Sequence, residues 1–102
     1  INDNIYLYSH FNQPINEWDV KNVRRMSDMF LNAKYFDQNL DDWNDKLSNV
    51  TTMSNMFRGA INFYQNLSNW RVSSKEHIDM LKNSAMEHNC SYWPLDIQNS
   101  CN

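Results

Sequence analysis

At 102 residues and a formal charge of −3, the chain has room for one modest core and lacks the positive charge that drives non-specific nucleic-acid binding. One Gly and two Pro exclude a Gly-rich phosphate loop and disfavour a hairpin-rich sandwich, so turns must come from Asn, Ser and Asp. No apolar run is long enough to span a bilayer as a helix. The chain opens at Ile1 without a signal-peptide pattern, which fits a processed chain or part of a longer one.

Residues 1–10 alternate around Ile5 and Leu7 and read as an N-terminal cap or partial coil. From Phe11 onward the chain repeats itself. Residues 11–33 read FNQPINEWDVKNVRRMSDMFLNA, and residues 36–60 read FDQNLDDWNDKLSNVTTMSNMFRGA. A third copy begins FYQNLSNWRV at Phe63 and degrades after Val72. Successive Trp residues, Trp18, Trp43 and Trp70, lie 25 and 27 residues apart, so the second copy carries an insertion within NDKLSN. Insertions of that kind bulge at the edge of a coil.

Each copy has two halves. Val23, Met26, Met29, Phe30 and Ala33, with Val50, Met53, Met56, Phe57 and Ala60, recur at intervals of three and four. That spacing predicts short helices over about 23–32 and 51–59, with Asn22 and Asn49 as N-caps and Gly59 near the second C-terminus. The other half alternates Trp18, Asp19, Val20 and again Trp70, Arg71, Val72, predicting very short parallel strands with Trp and Val inward. Residues 73–102 read as a C-terminal cap. Its core is a helix over 74–88 that buries Ile78, Leu81 and Ala85, followed by a tail with Tyr92, Trp93, Leu95 and Ile97 folding back. The expected fold is thus α/β, a short right-handed solenoid of very short parallel strands alternating with short helices, with the repeat over 11–72. Cys90 and Cys101 are candidates for a structural disulfide worth about 3 kcal/mol; free thiols, or metal ligation with His88, remain open.

The in-register Gln13, Gln38 and Gln65 suit a hydrogen-bond ladder between coils better than ligand contact, and the Trp and Met residues suit a core better than an exposed stripe. Glu17, Asp19, Asp41, Asp42 and Asp45 form an acidic edge without EF-hand spacing, read as a solvated face over Ca²⁺ binding or catalysis. Lys21, Arg24 and Arg25 read as a solvated helix face. His10, His77 and His88 form no zinc-protease pair, and no nucleophile elbow is present. Three glycosylation-type triplets start at Asn49, Asn66 and Asn89, a number that chance explains in so Asn-rich a chain. No cofactor, metal or catalytic residue is expected. The residues that differ between copies, Asp41, Asp42, Asn44, Asp45 and Lys46, are the expected interaction edge.

The shared order Phe, Gln, aliphatic, Trp, Val, Met, Met-Phe, Ala resembles the bacterial surface protein repeat of about 26 residues, the BspA-like type of mycoplasma surface lipoproteins. Its carriers are Phe11, Gln13, Ile15, Trp18, Asp19, Val20, Val23, Met26, Met29, Phe30 and Ala33, then Phe36, Gln38, Leu40, Trp43, Val50, Met53, Met56, Phe57 and Ala60, then Phe63, Gln65, Leu67, Trp70 and Val72. Val20 has no clean counterpart in the second copy, and the third lacks the Met-Met-Phe run. The resemblance implies a leucine-rich-repeat-like solenoid on an extracellular, cell-surface or virion-surface protein, without catalysis. The expected function is protein or glycan interaction, or adhesion, without nucleic-acid binding or membrane insertion. The alternative is a structural component of a large assembly such as a virion or surface layer.

Overall fold

In the computed structural model, which describes Leu7 and residues 10–101, the Met-rich segments are tandem four-residue turns. Met29 N donates to Met26 O at 3.2 Å, and Ala33 N to Phe30 O at 3.0 Å. The third residue of each turn, Asp28 and Asn32, has φ of 61° and 56°. A positive φ at that position defines a type II turn, and Asn, Asp and Gly reach it at least cost. The next segment repeats the device with turns Met53 to Met56 and Phe57 to Ala60, placing Asn55 at 60° and Gly59 at 74°. A third pair, His77 to Met80 and Leu81 to Ser84, places Asp79 at 54° and Asn83 at 60°.

These turns leave alternate amides pointing along the stack, and the next layer receives them. The amides of Met26, Asp28, Phe30 and Asn32 donate to the carbonyls of Thr52, Ser54, Met56 and Arg58 at 2.9, 3.1, 2.8 and 2.7 Å. The amides of Met53, Asn55, Phe57 and Gly59 donate to Glu76, Ile78, Met80 and Lys82 at 2.6, 2.9, 2.8 and 3.0 Å. Thr51 N and Glu76 N bond back to Arg24 O and Thr51 O. Among the described residues, regular pairing is confined to two isolated parallel bridges, Arg25 with Thr52 and Thr52 with Glu76.

The expected fold class is therefore corrected. Among the described residues there is no α-helix and no strand, only 3-10 helices at Asp41–Trp43, Cys90–Tyr92 and Leu95–Ser100. No leucine-rich-repeat-like alternation of strands and helices is present among them. Residues 23–32 and 51–59 are turns because their amides bond the neighbouring layer instead of the carbonyl four residues back, and because left-handed residues interrupt them. The bridges fall in this half, not at the Trp residues, and Trp43 sits in a 3-10 helix. The helix expected over 74–88 is likewise absent: Ile78 is 69% exposed and Ala85 is exposed, while Met80, Leu81 and Met86 are buried. Most of the expected N-terminal cap lies outside the described residues; within it, Leu7 N donates to Met29 O.

Packing joins residues that recur in the sequence. Phe11, Phe36 and Phe63 form one column with centroids 5.9 and 5.7 Å apart, and Phe30 stacks on Phe57 at 5.3 Å. The columns interlock through Phe30 on Phe36 at 4.0 Å and Phe57 on Phe63 at 4.1 Å. Such pairs add about 0.5–1.5 kcal/mol each beyond burial. Trp43 and Trp70 stack fully buried, and their Nε1–H groups donate to Ile15 O and Leu40 O. Trp18, at the start of the series, is only partly buried. Leu47 fills the place in the second layer that Val20 holds in the first: Val23 N bonds Val20 O, and Val50 N bonds Leu47 O.

At the surface, Asn12 Oδ1 accepts from Asp37 N and Gln38 Nε2, and Asp37 Oδ1 accepts from Tyr64 N and Gln65 Nε2. Gln38 and Gln65 thus link layers, bonding the residues that precede the Gln positions.

Gly59 tests the turn logic. A Cβ there meets the Asn32 side chain, and its φ disfavours any L side chain. Gly59→Ala is expected to cost about 1–2 kcal/mol in urea melts. Asn83→Gly, at an exposed left-handed position, should change stability by only about a few tenths. Equal effects from the two would contradict the role assigned to these positions.

Candidate functional site

The C-terminal segment covers only half of the last layer. It docks on the Trp side, where Leu67 N donates to Tyr92 O, Leu95 N donates to Ser68 O, and Ile97 is buried. The Asp96 carboxylate accepts from Val72 N at 3.0 Å and Ser73 N at 2.9 Å. Partial burial pushes this carboxyl upward, but the Ser73 and Val72 amides outweigh that and hold it below its ordinary value. Trp93 Nε1–H donates to Met86 O at 2.8 Å, and a disulfide joins Cys90 to Cys101 with Cα atoms 5.5 Å apart. Both cysteines are thereby unavailable as thiols or as metal ligands with His88.

The turn side of the last layer stays uncovered. Between residues 75–82 and the cap residues Glu87, His88, Trp93, Ile97 and Ser100 runs a groove of about 580 Å³. A volume of that order matches small-ligand and peptide sites. Ile78 stands on its rim. Lys75, also in its lining, reaches away to donate from Nζ to Val50 O at 2.8 Å. Desolvation lowers the Lys75 pKa, with Asp96 opposing that shift.

The expected edge lies elsewhere. Asp41, Asp42, Asn44 and Asp45 are exposed and Lys46 is half-buried, around the 3-10 helix Asp41–Trp43. Two of these side chains hold layers together. Asp42 Oδ2 accepts from Asn16 Nδ2 at 3.0 Å, and Asp41 Oδ1 accepts from Asn69 Nδ2 at 3.4 Å. Asp19, also on the acidic side, is exposed and has a lowered pKa, chiefly through the Lys21 amide. Among the described residues no three His, Cys, Asp or Glu side chains converge as a metal set.

The family model described as Mycoplasma protein of unknown function, DUF285, matches residues 2–99. The chain belongs to the DUF285 family. Neither the curated proteins nor the solved structures give a match. The DUF285 match spans the turn layers and nearly all of the cap, and takes in every groove-lining residue except Ser100. The sequence conceals the groove because its spacing puts Ile78 on the buried face of a helix, whereas Ile78 is exposed at the rim. The available signal was Asp79 and Asn83 at the spacing of Asn55 and Gly59, which marks another pair of turns.

Two outcomes follow for the cap of this DUF285 chain. Asp96 has a folded-state pKa below its unfolded value, so its stabilisation is complete above about pH 4 and is lost as pH falls through the folded value. Chemical melts between pH 7 and pH 2, run beside Asp96→Asn, should show the variant losing this part of the acid dependence. Reduction of the disulfide, or Cys90→Ser with Cys101→Ser, should lower stability by about 3 kcal/mol, read from urea melts with and without reductant.

Proposed function

We propose that this chain is a non-enzymatic interaction module on an exposed surface, and that the terminal groove is where it takes hold of a protein partner. The observation that carries this reading is the groove itself, which pairs an apolar rim at Ile78 with a wall of Trp93 and Ile97. Large apolar side chains on a surface gain free energy when a partner covers them. The disulfide supports an oxidising, extracellular setting. The family's association with Mycoplasma is in keeping with a surface role. The acidic edge at Asp41 and Asp42 is less suited to a partner because those carboxylates already bond Asn69 and Asn16.

The test uses the oxidised protein displayed on beads against cultured epithelial cells. Retention should vanish when surface proteins are removed by protease and persist after glycosidase treatment. Ile78→Glu should reduce it about tenfold without altering the melting temperature. Loss after glycosidase alone would favour a glycan ligand, and absence of retention would count against the module as a whole.

A further inference from the structure

One edge in this molecule is built to be covered and is left bare. In each layer, four amides at alternate positions point toward the C-terminal end. The first set, on Met26, Asp28, Phe30 and Asn32, is received by residues 52–58. The second, on Met53, Asn55, Phe57 and Gly59, is received by residues 76–82. The same positions in the third layer are His77, Asp79, Leu81 and Asn83. The register is fixed by the left-handed residues: Asp28, Asn55 and Asp79 form one series, and Asn32, Gly59 and Asn83 the other. The amides of His77, Asp79, Leu81 and Asn83 donate to no acceptor among the described residues. The intervening amides of Met80 and Lys82 are satisfied inside their own turns, by His77 O and Asp79 O.

The groove runs along this row. His77, Asp79 and Leu81 line it from the layer side, and Trp93 and Ile97 from the cap side. The cap therefore supplies the side-chain packing that a fourth layer would have supplied, but not its carbonyls. A backbone laid along this edge would gain four parallel hydrogen bonds while burying Ile78 and the indole of Trp93.

We propose that the groove binds a segment of a partner protein by backbone addition, the segment following the same turned path as residues 52–58 and 76–82. The segment lies parallel to residues 77–83, its carbonyls at alternate positions accept from His77, Asp79, Leu81 and Asn83, and an apolar side chain rests on Trp93 and Ile97. The occupant is defined by its main chain because the chain covers this same edge twice with different sequences, residues 52–58 and residues 76–82, through the same carbonyl pattern. This rests on the interaction reading above and specifies how that site engages its partner.

The probe is a synthetic peptide with the sequence of residues 51–60, whose carbonyls already serve such an edge within the fold. It is added in excess to the oxidised full chain, and amide hydrogen exchange is followed by NMR. Exchange at His77, Asp79, Leu81 and Asn83 should slow by about tenfold or more, with little change at Met80 and Lys82. Ile78→Glu should weaken the peptide about tenfold, and the protein's melting temperature should hold. Unchanged exchange at the four amides under peptide excess overturns the proposal. So does protection that rises with protein concentration in the absence of peptide, which would give the edge to a second copy. Cell retention without amide protection would leave the interaction module standing and remove the backbone mode. Protection without retention would do the reverse.

Discussion

The structure depends on one constraint: a backbone that turns every four residues must send half of its amides to another layer. A residue with positive φ at the third position of each turn bends the chain so that alternate amides point along the stack. Where such an amide is buried, leaving it unpaired costs roughly as much as a lost hydrogen bond. The neighbouring layer has to sit in register to receive them. Everything else that recurs, including the Phe columns and the stacked Trp pair, follows from that register.

This explains a composition that would be awkward in another fold. Asn and Asp occupy left-handed positions, where they are tolerated better than other side chains. They also bridge layers through their side chains, as Asn12, Asn16 and Asp37 do. Met and Phe fill the interior, and the described core contains no buried polar or charged residue. The indole N–H groups of Trp43 and Trp70 find backbone carbonyls one layer back, so large aromatic rings enter the core without stranding a donor.

In a stack made this way, a layer edge that no other layer covers is a problem of unmet backbone, and residues 77–83 form such an edge among the described residues. The C-terminal segment solves half of it. Asp96 receives the amides of Val72 and Ser73, and the disulfide closes residues 90–101, which carry Trp93 and Ile97, into a loop. The turn side keeps its donors in a groove. Stability and accessibility are thus divided between the two halves of one terminal layer, which is where an interaction module can offer a surface without opening its core.

The sequence by itself determined the register of the molecule. Phe11, Phe36 and Phe63 stack as their recurrence predicts, the two inner Trp residues are buried, and Gln38 and Gln65 link layers. It did not determine the local conformation. Apolar residues spaced three and four apart satisfy a 3.6-residue helix and a chain of four-residue turns almost equally well. The difference lies in where the amides go, and that is settled only by the neighbouring layer. Asp28, Asn32, Asn55 and Gly59, spaced at intervals of four, were the local sign of turns, but each taken alone also suits a cap or a helix end. The candidate site was hidden for the same reason. With Ile78 assigned to a helix it belongs to the core; with Asp79 left-handed it stands at the rim of a groove, beside amides that only the tertiary structure leaves unpaired.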